Sequence, residues 1–254
     1  MFSGSLSLLL LALGAAKAEP TCEDPGVLVC HPVVGDLPVL DGDLSDWADV
    51  VGIETSLYAP LTLEQYGPGK AEVKCAHSGD RIFMTMEIPG KYRFDATSNK
   101  LCASIATMTK VGADATYLDM GGCPDAQDGC DEITGGVPAT CETYTVDIGA
   151  HWELRTTEQG VTYPLNTADG SGNDLVANKD DEYAVNSYCR LDDDGDNAGN
   201  EWAGGWSHSA GTEEGADGTY IFELSRLLVT ASIATDAQMS IGETYEFGGE
   251  YRRA

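Results

Sequence analysis

Residues 70–88 read KAEVKCAHSGDRIFMTMEI, and this stretch decides the fold class. In Arg81–Ile88, the residues Ile82, Met84, Met86 and Ile88 alternate with Arg81, Phe83, Thr85 and Glu87. Successive side chains of a strand point to opposite faces, so this period of two predicts a strand with the first set buried. Lys70–Cys75 predicts its partner strand, and Ser78-Gly79-Asp80 the turn that joins them into a hairpin.

The same signal recurs on both sides of the hairpin. Leu101–Met108 and Thr219–Leu224 read as strands, and Gly242–Gly248 as the segment that closes the sheet. The longest alternation lies in Cys141–Arg155. There Tyr144, Val146, Ile148, Ala150, Trp152 and Leu154 alternate with Thr145, Asp147, Gly149, His151, Glu153 and Arg155. Helix signals are confined to Asp43–Val50, with Ser45 as cap and Trp47 buried, and to a single turn at Ser225–Leu228. Many short strands broken by Gly, Pro, Asp and Asn predict an all-β protein. The expected architecture is a two-sheet antiparallel β-sandwich of immunoglobulin or jelly-roll type, with long acidic loops and few short helices. The loops Asn166–Asp181 and Asp192–Gly218 are long and polar, and loops of that kind carry function on such scaffolds.

Residues 1–18 read as a signal peptide. The apolar run Leu6–Leu13 is far shorter than the ~20 residues needed to cross a bilayer, and Ala16-Lys17-Ala18 places small residues before a cleavage point at Glu19. The start of the chain carries no Lys or Arg, a departure from the usual pattern. Residues 19–38 are expected to be a disulfide-stapled N-terminal segment and 39–254 one β-sandwich domain. An exported chain belongs in a secreted, extracellular or periplasm-like oxidising compartment, with no membrane insertion after cleavage.

The chain holds 14 basic and 42 acidic residues, a net charge of −28, which becomes −29 when Lys17 leaves with the leader. That balance argues against nucleic acid and anionic membranes as partners. It suits a solvated surface in a saline medium, calcium, or a basic partner. Eight Cys in an exported chain predict disulfides, although eight allow 105 pairings. Cys22–Cys30 would staple the N-terminus, and Cys123–Cys130 would close a Pro/Asp/Gly loop with Cys141 competing for either. Cys75, Cys102 and Cys189 remain. An oxidising compartment argues against zinc at Cys123, Cys130 and Cys141. No Cys-x-x-Cys-His occurs, so covalent haem attachment is not supported.

Asp41-Gly42-Asp43 with Asp46-Trp47 reads as an acidic turn followed by an aromatic anchor at the edge of the core. Four blocks then stand in order: LDGDLSDWADV from Leu40, KLCASIATM leading to YLDMGGC, VDIGAHWELR from Val146, and GTYIFELSRLL from Gly218. In that order and spacing the chain resembles the haem-binding domain of the electron-transfer subunits related to DMSO reductase, of which the haem subunit of ethylbenzene dehydrogenase is the best known. The resemblance covers Val39 to Phe247. It implies a lipocalin-sized β-sandwich holding a non-covalent haem b between a Met and a basic side chain, usually Lys. It also implies an electron-transfer role beside a molybdenum oxidoreductase.

Under that resemblance Met120, in Met120-Gly121, is the first axial ligand, and Met108 the fallback. A thioether sulfur is a soft, neutral ligand that favours reduced iron. The position expected to hold Lys falls near Trp152, where the chain reads AHWELR, so His151 is the candidate second ligand and Trp152 a candidate pocket wall. Lys179 is a more distant alternative. Core packing is the rival reading for both Met residues, and a solvated side chain the rival for His151.

Asp192, Asp194 and Asp196 in DDDGDN could converge oxygens on calcium. The EF-hand pattern fails there, because Asn197 stands where its Gly belongs and Ala203 where its Glu does. A solvated acidic loop is the rival reading. Trp202 and Trp206 could pack the core, wall a haem pocket, or form a sugar-stacking platform. No Gly-x-Ser-x-Gly, His-Glu-x-x-His or phosphate loop is present, and no catalytic set stands out. The expected function is therefore a secreted haem b-binding one-electron carrier with a redox partner protein. The alternatives are a carbohydrate-binding or cell-surface module with a calcium-stabilised loop, and a purely structural domain.

Overall fold

The computed structural model describes residues 27–57, 66–94, 103–111, 146–149, 152–153, 159–160, 163–164, 181–184, 190–192, 202–231, 233, 236–245 and 247–252. Among them lie thirteen strands and one 3-10 turn, at Leu44–Trp47. The fold is all-β and consists of two sheets.

The first sheet runs β1 (His31–Pro32), β3 (Ala71–His77), β4 (Arg81–Lys91), β12 (Asp217–Leu227), β11 (Ala203–His208) and β8 (Tyr163–Pro164), with β2 (Ile53–Thr55) also on β3. Its pairings are antiparallel except β1 with β3. The second sheet runs β10 (Arg190–Asp192), β9 (Asp181–Ala184), β6 (Val146–Gly149), β5 (Ser104–Lys110) and β13 (Phe247–Arg252), with β7 (Trp152–Glu153) also on β5.

The predicted hairpin is present. Ser78 N–H donates to Arg81 O at 3.0 Å, and Gly79 takes the φ of 102° that the turn requires. β4 and β12 then pair along their whole length, from Asp217 opposite Lys91 to Leu227 opposite Arg81. Ser225–Leu228 was expected as a helical turn, but Ser225–Leu227 is the end of that strand. Its backbone is taken up by β4, and Leu228 N–H donates to Asp80 O.

One face of the first sheet packs against the second. Val73, Met86, Phe222 and Trp206 form a cross-strand row in this core, and Ile105, Phe247 and Tyr251 meet them from the other sheet. The sequence reading assigned burial only to this first face. The opposite face is also buried, with Phe83 4% and Thr85 0% exposed. The cover is a strap, residues 39–50, whose Leu40 and Trp47 pack on Ala76 and Phe83.

The strap is shaped by its own acids. Asp43 accepts from Ser45 N–H at 3.0 Å, Asp41 from Asp43 N–H at 2.9 Å, and Asp46 from Val39 N–H at 2.8 Å. Asp43, not Ser45, is thus the N-cap of the turn, and Trp47 is buried as expected. An Asp side chain satisfies a free N–H two residues on, which holds a turn closed without help from a sheet.

The N-terminal staple joins different residues from those expected. Cys30 bonds Cys75, on β3, rather than Cys22. β1 lies beside β3, with His31 opposite Ala76, so Cys30 arrives next to Cys75 by strand pairing.

The long alternation in Cys141–Arg155 is broken into β6 and β7, both antiparallel to β5. Asp147 stands opposite Thr109, but Trp152 stands opposite Ile105. One more residue separates Asp147 from Trp152 than separates their partners. Asp147 and Trp152 therefore take positions of the same parity on β5, and the alternation expected through Trp152 does not hold. The strand expected over Leu101–Met108 is Ser104–Lys110, and closure comes from Phe247–Arg252, after a turn at Gly242 with φ 91°.

Candidate functional site

The most unusual polar centre among the described residues lies under the strap. Glu223 is the one acid in the apolar run TYIFEL, and on β12 it is fully buried. It belongs to the row Lys74, Thr85, Glu223 and Gly205, across β3, β4, β12 and β11. One carboxylate oxygen accepts the Trp47 Nε1–H at 2.6 Å, and the other accepts the Gly42 N–H. Burial pushes the carboxyl up to about 7, the two hydrogen bonds oppose this, and the charges of Asp46 and Asp41 add to it.

Two glycines permit this approach. A Cβ on Gly205 would lie 1.9 Å from Leu40 O, and one on Gly42 would lie 2.5 Å from Ser207 Cβ. With neither present, the strap backbone lies directly on β11, and Ser207 Oγ–H donates to Gly42 O at 2.8 Å.

A second polar centre sits at the other end of β11. His208 is 3% exposed, and its Nε2 is 3.2 Å from Gly90 O while Nδ1 accepts from Ala210 N–H. Burial lowers its pKa, partly offset by the bond to Gly90. The ring packs on Tyr220 at 4.5 Å and Tyr92 at 5.4 Å. Both nitrogens are engaged, so this histidine is a packed core residue and not a free ligand.

Of the candidate haem residues, Met120, His151 and the distant Lys179 lie outside the described residues. Met108 lies on β5, half-buried and opposite Gly248 of β13. Trp152 forms β7 opposite Ile105. Of the calcium candidates, Asp192 ends β10 opposite Glu182, while Asp194 and Asp196 lie outside the described residues. Among the described residues no group of three or more His, Cys, Asp or Glu could hold a metal ion.

Trp202 and Trp206 are 4% and 1% exposed in the main core, and the Arg226 guanidinium lies 5.5 Å from the Trp202 ring. They form no exposed platform on which a sugar could stack, which removes the feature expected to carry glycan binding. Sequence reading missed Glu223 and His208. The signal for Glu223 was present, a lone acid in an apolar strand. For His208 there was none beyond its place after Trp206-Ser207.

Among the described residues no helix is long and apolar enough to cross a membrane. No protein-family model matches the chain, and no curated protein matches it.

Proposed function

We propose that this chain is an exported haem b-binding protein that carries single electrons to or from a partner protein. The observation that carries the reading is the bond between Trp47 and Glu223. Trp47 belongs to the first block of the resemblance, LDGDLSDWADV, and Glu223 to the last, GTYIFELSRLL. The two blocks are parts of one buried junction, and the intervening blocks supply β5 and β6 of the facing sheet. The Cys30–Cys75 disulfide is compatible with the oxidising compartment that export implies.

A haem b would supply a one-electron iron couple. In this reading Met120 and His151 would hold the iron, with Met108 as the alternative to Met120. Met108 fits the role to the extent that its neighbour across the strand, Gly248, adds no side chain beside it. A thioether ligand would favour the reduced state.

The test is to add haemin to the purified chain, remove the excess, and record visible spectra oxidised and dithionite-reduced. The expected result is a stoichiometric Soret band with sharp reduced α and β bands, altered by Met120→Ala and His151→Ala. A folded sample that retains no haem overturns the proposal.

A further inference from the structure

We propose that Glu223 is a proton-operated latch for the strap: in the closed fold its carboxyl proton is donated to Thr85 Oγ1, and loss of that proton loosens residues 39–50 from the sheet. This holds whether or not the chain takes a haem.

The geometry contains an unused acceptor. Thr85 is fully buried, and its hydroxyl has no hydrogen-bond partner. A buried hydroxyl left unpaired is costly, about 1–3 kcal/mol. Thr85 stands directly opposite Glu223. Directly opposed residues on antiparallel strands have Cβ atoms about 4.5–5.5 Å apart, so the Thr85 side chain, which no hydrogen bond holds, is the one that can turn its hydroxyl toward the carboxyl. A neutral carboxyl can then donate to Thr85 while its two oxygens continue to accept from Gly42 and Trp47.

The surrounding charges favour the neutral form. From the strap, Asp41 and Asp46 both act against ionisation, and Asp43 lies between them in sequence. From β3, Lys74 is held by Glu87 at 3.1 Å and Glu72 at 3.6 Å. On β4, Glu87 is that lysine's partner and Arg81 donates to Ser225 Oγ at 3.2 Å. β11 presents Ala203, Gly205 and Ser207, none of them ionisable. On β12 itself, Asp217 stands at the exposed end, paired with Lys91.

The sign follows from linkage. The closed form holds its proton up to about pH 7, against an ordinary value of 4.5. Closure is therefore strongest in acid and weakens as pH rises through 7.

The experiment is amide hydrogen exchange on the full chain, with the protection of residues 39–50 corrected for the intrinsic pH dependence of exchange and compared with β4 and β12. Between pH 6 and 8 strap protection is expected to fall about tenfold relative to those strands. Glu223→Gln should abolish this dependence. Thr85→Val, which keeps the shape and removes the acceptor, should move the midpoint to lower pH. Strap protection that is constant or rises with pH overturns the proposal, as does a Glu223→Gln variant that keeps the decline. So does a Thr85→Val midpoint that stays or moves up, which would make Thr85 a donor to the ionised carboxylate or no partner at all. If Glu223→Gln does not fold, the wild-type profile and Thr85→Val still decide.

Discussion

The indole Nε1–H of Trp47 donates to the Glu223 carboxylate at 2.6 Å, a buried bond between residues 176 positions apart in the chain. It ties the strap to the centre of the first sheet and converts what would be a solvent face into a second core.

Trp47→Phe keeps most of the ring and removes the donor. The Glu223 oxygen it served is left with one partner fewer in a buried site, so a loss of about 1–3 kcal/mol is expected. Urea unfolding measures it. Ser207→Ala, which removes the half-buried bond to Gly42 O, should cost about 1 kcal/mol by the same assay.

Gly205→Ala tests the close approach of strap and sheet. The new Cβ would meet the Leu40 carbonyl at 1.9 Å, and a backbone atom cannot rotate away as a side chain can. About 3 kcal/mol of destabilisation is expected, the upper end for overpacking. Gly67→Ala is the control. Nothing lies within 4 Å of its added Cβ, so its midpoint in the same denaturation curve should stay within about 0.5 kcal/mol of wild type.

Replacing both Cys30 and Cys75 by Ala removes a cross-link spanning 45 residues. Loop-closure entropy gives about 4 kcal/mol for a loop of that size. Thermal unfolding of the double variant should show a lowered midpoint, and an unchanged one would mean that strand pairing alone holds the N-terminal segment.

Global stability should carry the same pH signature as the latch. The Glu223 pKa is raised on folding, from 4.5 to about 7. Its contribution is full below about pH 4.5 and is lost as pH rises through 7. The amount is on the order of 3 kcal/mol. Denaturant curves of wild type and Glu223→Gln at pH 5 and pH 8.5 give the difference directly. The gap between them should change with pH in that direction, whatever the many surface acids contribute to both.

The hairpin and the inner face of β4 were legible because alternation is a local signal. The outer face was not. Arg81, Phe83, Thr85 and Glu87 carry no continuous apolar pattern, and Trp47 and Leu40 arrive from a distant part of the sequence to pack on Phe83. The Cys30–Cys75 pairing was hidden for the same reason, since spacing does not reveal which strands lie side by side. The one-residue change of register between Asp147 and Trp152 left only Gly149 as a hint, a residue that weakens a strand wherever it stands. Of the haem candidates only Met108 and Trp152 fall on described residues, and neither carries the site by itself. The centre that the structure does bring together, Glu223 with Trp47 and Gly42, depends on contacts no local pattern encodes.

The junction between strap and sheet also sets an order in time. Trp47 and Leu40 leave the ribosome well before Gly205 and Glu223, the residues that receive them. A chain synthesised at ~5–20 residues per second therefore carries an undocked indole for on the order of ten seconds before its acceptor exists. Docking must be among the last steps of folding, because it needs β4, β12 and β11 already aligned. During that interval Trp47 is surface that a chaperone can grip, and the closing of the strap withdraws it.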